Sequence, residues 1–337
     1  MRVQEVQLTT IPEESVTEQD FGVFDAEVGG PDKGQVLVGL RRLGLNAGLA
    51  HRLGGKGTAY GPGIGVGDVP ESDAVVEVLR SEDESFGTGE LAVGKVPWST
   101  AAVVEGSRLR KIHPPASDDE LDAHLTILGH VGFTAYTGMV HVGDVGPEDV
   151  VYVSGAAGGV GSCAVQFAKA RGATVIGVAG SDEKVSLLTD ALGADRAINR
   201  HDGPAVDLLR EAAPDGVDLY YDNVGGEQLE AALDVLNTGG RAVICGVVSQ
   251  GSEGSGGPAN YRNMIYKELT MRGFTVTAHE DLREQFESEV GDWLREGKVR
   301  SLHSIFEGID RVPEAFETLL AGGSTGRVIV GVESQSG

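Results

Sequence analysis

Val150-Val151-Tyr152-Val153-Ser154-Gly155-Ala156-Ala157-Gly158-Gly159-Val160-Gly161-Ser162 is an apolar, β-branched run that breaks into glycines and then takes up helical spacing. It reads as a strand, a tight turn and a helix start. Glycines are needed at such a turn when the N–H groups of a helix N-terminus must approach a pyrophosphate with no side chain in the way. The stretch therefore predicts a dinucleotide site at Ala157, Gly158, Gly159 and Val160. In the spacing Ala156-x-Gly158-x-x-Gly161 alanine stands where the common fingerprint has its first glycine, so the context carries the reading. A helix over 162–170 and a second apolar run over 173–179 complete a βαβ unit around the turn.

Working outward, strand patterns at 196–199, 217–222 and 241–246 alternate with a helical pattern at 226–236, which implies a doubly wound parallel sheet. Upstream, to about Pro115, short β runs at 35–40, 74–79, 91–93 and 101–104 suggest a small barrel-like β domain. A glycine-rich surface loop covers 53–68. Ser117-Asp118-Asp119-Glu120 is an N-cap with acids in the first turn, leading into a helix over 121–128. A polar loop over 249–257 is a candidate substrate-facing segment. The last helix, 311–320, and strand, 326–330, return to the first domain. The expected division is 1–125, 126–299 and 300–337, the last part rejoining the first.

A chain of 337 residues suits two domains. A formal net charge of −24, from 51 acids against 27 bases, speaks against nucleic acid as a partner, because a phosphate backbone is repelled. The acids are scattered, and of the bases 19 are Arg and 8 Lys; this predicts a solvated acidic surface of the kind that suits high salt, and a halophilic source as its hypothesis. No charge lies between Asp149 and Lys169, yet the glycines and the change of period midway argue for strand, turn and helix rather than a membrane span. Met1 to Glu5 lack the apolar region of a signal peptide, so a cytoplasmic protein is expected. Cys163 and Cys245 show no metal or disulfide spacing and read as buried free thiols.

The end of the second strand of such a unit decides between NAD and NADP, since an acid there bonds the ribose diol and repels a 2′-phosphate. Here the strand ends at Gly180, followed by Ser181-Asp182-Glu183-Lys184. A hydroxyl at a helix start and an ammonium one turn on both suit a phosphate, and Arg200 adds a planar fork. Asp182 and Glu183 point the other way, or simply counter the helix dipole. The balance favours NADPH.

Several segments together resemble the zinc-independent medium-chain dehydrogenase/reductases, in the branch with leukotriene B4 12-hydroxydehydrogenase/prostaglandin reductase, plant double-bond reductases and bacterial curcumin reductase. They are Gly129-His130-Val131-Gly132-Phe133-Thr134-Ala135-Tyr136-Thr137-Gly138, Ser154 to Ser162, Ala179 to Lys184, Asp222-Asn223-Val224-Gly225-Gly226, Cys245 to Gln250, Gly257-Pro258-Ala259-Asn260-Tyr261 and Arg272-Gly273-Phe274-Thr275-Val276. The resemblance implies an α/β fold: a GroES-like β domain, completed by the C-terminal tail, with a Rossmann doubly wound parallel sheet inserted. It implies NADPH-dependent reduction of the carbon–carbon double bond of α,β-unsaturated ketones or aldehydes. By the same resemblance Lys184 holds the 2′-phosphate, with Arg200 where relatives have Tyr. Asn223, Phe274 and Val276 lie near the nicotinamide, Cys245 and Ser249 belong to the cofactor-lining set, and Tyr261 faces the substrate carbonyl. It also implies a homodimer with a seam near Met271 to Val276.

The first domain departs from those relatives. Where they carry Asp-Pro-Tyr-Met-Arg-Gly, this chain reads Asn46-Ala47-Gly48-Leu49-Ala50-His51, so a substrate-side Tyr is absent and the substrate is left open. The segment Gly323 to Arg327 likewise lacks an Asn found in relatives. Catalytic zinc needs three side-chain ligands; no Cys cluster exists, and up to Pro115 the only imidazoles are His51 and His113, so no metal is expected. Hydride addition to an enone builds negative charge on its carbonyl oxygen, and Tyr261 is the candidate donor there. The alternatives are a quinone oxidoreductase and, from another class, a non-catalytic NADPH-binding protein.

Overall fold

The computed structural model describes residues 1–55, 57, 61–114, 117–246 and 257–332. The chain divides into two units, one of Met1–Leu125 with His303–Gly337 and the other of Thr126–Leu302. In the first unit β1 (Arg2–Leu8) and β2 (Phe21–Glu27) form an antiparallel pair in which Leu8 faces Phe21. β3 (Gln35–Gly44) alternates buried and half-buried positions along most of its length, the period expected of a strand with one face on a core. It pairs antiparallel with β4 (Glu71–Ser81) on one side and with β6 (Ala101–Glu105). β5 (Leu91–Pro97) and the short β7 (Leu109–Lys111) extend the sheet. Residues 56 and 58–60 of the glycine-rich loop lie outside the described residues; beside them Leu53 bridges Ile64.

Ser117 caps α1 (Asp118–Ala123), its Oγ accepting from Glu120 N–H at 3.3 Å, and three acids meet the positive end of the helix dipole. The helix predicted over 121–128 stops at Ala123. The Leu125 N–H bonds back three residues, to the Asp122 carbonyl at 3.0 Å, and Gly129 N–H likewise to Thr126, so tight turns replace the four-residue ladder.

The second unit opens with α2 (His130–Tyr136), which runs into a π-helical turn over Thr137–Val142. Then come β8 (Val150–Val153), α3 (Gly159–Ala170), β9 (Thr174–Ala179), α4 (Asp182–Asp190), β10 (Arg196–Asn199) and α5 (Ala205–Ala212). β11 (Val217–Asp222), α6 (Gly226–Val235), β12 (Leu236–Ile244), α7 (Asn263–Tyr266), β13 (Thr270–Gly273) and α8 (Arg283–Arg295) follow. α3 begins at Gly159, three residues before the predicted Ser162, because glycines 159 and 161 already adopt helical geometry.

The six strands are parallel, in the order β10-β9-β8-β11-β12-β13. Winding reverses between β8 and β11, the point at which helices diverge to opposite faces and leave a crevice at the carboxyl ends of the strands. Phe133, Tyr136, Phe167, Phe286 and Trp293 pack α2, α3 and α8 together with ring centroids 5.2–6.5 Å apart. The polar edge of that cluster is satisfied by Tyr136, whose hydroxyl donates to Glu289 at 2.6 Å.

Back in the first unit, β14 (His303–Glu307), α9 (Val312–Leu320) and β15 (Arg327–Gly331) complete the sheet in the order β14-β15-β3-β4-β5-β7. Trp98 and Phe316 are fully buried and pack with Phe21 in tilted and edge-on contacts, ring centroids 5.5–6.0 Å apart among the three, so the C-terminal helix closes the core begun by the N-terminal strands. Arg327 is buried against Asp73 at 3.1 Å and the Gly44 carbonyl at 3.0 Å, a pairing that compensates its desolvation. Among the described residues no helix is long and apolar enough to cross a membrane.

Candidate active site

The carboxyl ends of the six parallel strands carry most of the residues singled out from sequence. At the end of β8 the chain turns through Gly155, whose φ of +57° is a left-handed conformation that other residues adopt at a cost. Gly158 N–H closes the turn on the Gly155 carbonyl at 3.0 Å. A Cβ at Gly161 would overlap that same carbonyl, so the third glycine is required for α3 to pack on the turn. Gly158 is the N-cap of α3 and supplies no side-chain acceptor. Gly158 is exposed, Gly159 and Val160 are half-buried, and Ala157 is buried beneath them. An exposed, glycine-lined helix start of this kind suits a pyrophosphate.

Next along the edge, β9 ends at Ala179 and Gly180 follows it. Ser181 caps α4, its Oγ accepting from Lys184 N–H at 3.4 Å. Arg200, just past β10, lays its guanidinium over Gly180: a Cβ there would sit 3.2 Å from Arg200 Nε. Burial and then the Arg200 charge hold the Lys184 ammonium below its usual range, against the pull of Glu183. Two cations thus converge beside Gly180 and Ser181, and an arriving anion relieves their repulsion.

The end of β11 is held by a buried network. Asp222 Oδ1 accepts from Tyr220 OH (2.7 Å), Ser154 Oγ (3.2 Å) and the N–H groups of Val224 (2.9 Å) and Gly225 (2.7 Å). Asn223 is fixed from both its groups, its N–H donating to Ser154 Oγ at 3.0 Å and its Nδ2 to the Ser154 carbonyl at 2.8 Å. The N–H groups of Cys245 and Gly246, past β12, donate to the Asp222 carbonyl at 2.9 and 3.0 Å. Burial pushes the Cys245 thiol up to about 11, with Tyr221 opposing by a hydrogen bond, so it is no nucleophile at neutral pH.

Beyond β13, Phe274 is half-buried and packs so closely on Gly138 that a Cβ there would lie 2.7 Å from its ring. Val276 begins the following 3₁₀ turn. The structure therefore brings Ala157, Gly158, Gly159, Val160, Gly180, Ser181, Lys184, Arg200, Asn223, Cys245, Phe274 and Val276 onto one edge of one sheet. Ser249 and residues 249–256 of the polar loop lie outside the described residues. Tyr261 lies just before α7. Its neighbours are anchored on α6, Ala259 N–H to Glu230 Oε1 at 2.8 Å and Asn260 Nδ2 to the Glu230 carbonyl at 2.8 Å, and Tyr261 itself is 62% exposed.

Sequence reading missed the π-turn at Thr137–Val142 and the Ser154–Tyr220–Asp222 network. Polar Ser154 and Asp222 at the ends of apolar strands were the available signal. Among the described residues no group of three His, Cys, Asp or Glu is arranged to hold a metal ion.

The uncapped glycine turn, the paired cations and the fixed Asn223 fit an NADP-type dinucleotide. Comparison with known proteins agrees. Residues 159–291 match the family described as zinc-binding dehydrogenase, and residues 4–112 the N-terminal domain of oxidoreductase. The chain is 34% identical to prostaglandin reductase 1 of Rattus norvegicus, over 93% of this chain and 94% of that one. It is 30% identical to the NADPH-dependent curcumin reductase of Escherichia coli (strain K12), over 96% and 95%. The structure of CurA from Vibrio vulnificus in complex with NADPH superposes with a TM-score of 0.92 at 27% identity, covering 98% of this chain and 99% of that one. The chain belongs to the zinc-independent medium-chain dehydrogenase/reductases, in the branch of the curcumin and prostaglandin reductases.

Proposed function

We propose that this protein reduces the carbon–carbon double bond of α,β-unsaturated ketones and aldehydes with NADPH. The observation that carries the reading is Arg200 over Gly180, with Lys184 in the first turn of the helix that Ser181 caps, on a chain of the curcumin and prostaglandin reductase branch. Ala157 to Val160 would receive the pyrophosphate through backbone N–H groups, and Lys184, Arg200 and Ser181 the 2′-phosphate. Asn223, Cys245, Phe274 and Val276 would line the nicotinamide, with Ser249 on the adjoining loop. When bound, NADPH supplies the hydride that adds to the β-carbon of the acceptor. The rigid Asn223 turn and the Phe274–Gly138 contact hold the wall against which the acceptor is oriented.

Negative charge grows on the acceptor's carbonyl oxygen during that addition, and a donor aimed there lowers the barrier. The phenol of Tyr261 is the donor in this reading, supported by its exposure and by the segment that anchors it to α6. The α-carbon takes its proton from solvent.

A homodimer through β13 is part of the same proposal. β13 is an edge strand, and Ile265 and Tyr266 just before it are each 72% exposed. Cys163 and Cys245 are not joined in a disulfide, which suits a cytoplasmic, reducing setting.

The test is NADPH oxidation with a panel of enones and a panel of quinones, with products identified by mass. Saturation of the enone double bond is expected. Turnover of quinones alone, or tight NADPH binding with no turnover of either, would overturn the reading.

A further inference from the structure

Asn199 closes β10, opposite Ala179 in the pairing with β9. Its amide is bonded at both ends. Nδ2 donates to Asp182 Oδ1 at 2.7 Å, and Oδ1 accepts from His201 N–H at 3.1 Å. Gly180 holds the strand-end place where a carboxylate would bind a ribose diol and repel a 2′-phosphate, and Asp182, exposed, opens α4 two residues further on. Arg200 lies between Asn199 and His201 in sequence, its Nε donating to His201 Nε2 at 3.3 Å and its guanidinium over Gly180. An amide donor on a carboxylate oxygen both satisfies that acceptor and holds it in place.

Resting on the NADPH reading above, we propose that Asn199 is a specificity-determining positioning residue. It holds the Asp182 carboxylate in a hydrogen bond, so that Lys184 and Arg200 rather than the acid meet the 2′-phosphate. Preference for NADPH is thereby kept although an acid, Asp182, opens the helix directly after Ser181. Glu183, the neighbouring acid, is exposed like Asp182 and its charge favours the Lys184 ammonium.

Binding of NADPH and NADH to Asn199→Ala, Asp182→Ala and the double variant, read by nucleotide fluorescence, tests this without turnover. Asn199→Ala is expected to weaken NADPH about three- to tenfold while leaving NADH within about twofold. Asp182→Ala should bind NADPH at least as tightly as the parent, and the double variant should match Asp182→Ala, because Asn199 acts through that carboxylate. Asn199→Asp, which sets a second acid against the first, should lose at least about tenfold. Equal weakening of both nucleotides by Asn199→Ala, or a loss that persists when Asp182 is already Ala, overturns the role. A parent protein that binds NADH as well as NADPH overturns the cofactor reading itself and this role with it.

Discussion

Tyr220 and Asp222 share one face of β11, and the Tyr220 hydroxyl donates to Asp222 Oδ1 across 2.7 Å with both side chains buried. The pair does more than satisfy two polar groups. Through Ser154 and the N–H groups of Val224 and Gly225 it fixes the turn that presents Asn223. Asp222→Ala removes the shared acceptor and leaves those donors buried, at a cost of about 2–4 kcal/mol. Urea denaturation should show that loss together with weaker NADPH binding, and an unchanged midpoint would mean the network adds no stability.

Lys184 and Arg200 are expected to act on the 2′-phosphate alone. Each single change to Ala should weaken NADPH about ten- to hundredfold, the range of a charge-assisted hydrogen bond, with NADH little affected. Titration at several salt concentrations checks it, because each lost cation should also flatten the salt dependence.

Tyr261→Phe should lower kcat for enones about ten- to a thousandfold, with little change in KM, if the phenol donates to the growing negative charge. The NADPH dissociation constant should stay as it is. A kcat equal to the parent's would remove Tyr261 from the chemistry.

His124 follows α1, and burial, with Arg110 and His113 adding to it, brings its imidazole from the ordinary 6.5 down to about 4, against Glu120. The folded state therefore binds fewer protons than the unfolded chain between those values. The stability tied to neutral His124 is present above pH 6.5 and is lost as pH falls toward 4, by about 3 kcal/mol at most. Unfolding midpoints across that range should fall more steeply for the parent than for His124→Gln.

The strand, turn and helix at 150–162 were legible because everything that makes them is local. β-branched residues, glycine spacing and the change of period lie within thirteen residues, and the same holds for the Ser181 cap and most strands of the sheet. Where the signal was also local but weak, sequence and structure differ: the helix after Ser117 ends at Ala123 because three-residue back-bonds from His124, Leu125 and Gly129 tighten the chain into turns, which hydrophobic spacing does not encode.

The composition of the site is a different matter. That Asp182 is an acid and Asn199 an amide is plain in the chain, but their bond spans 17 residues and exists only because β9 and β10 end side by side. The Ser154–Asp222 bond spans 68 residues and depends on β8 and β11 being neighbours at the point where winding reverses. By itself the sequence determined the fold class, the glycine turn and the chemical types along the strand ends, since these rest on short-range sterics and periodicity. Only the tertiary structure decided which of those groups meet, because hydrogen bonding requires approach to about 3 Å and strand order sets which ends come that close.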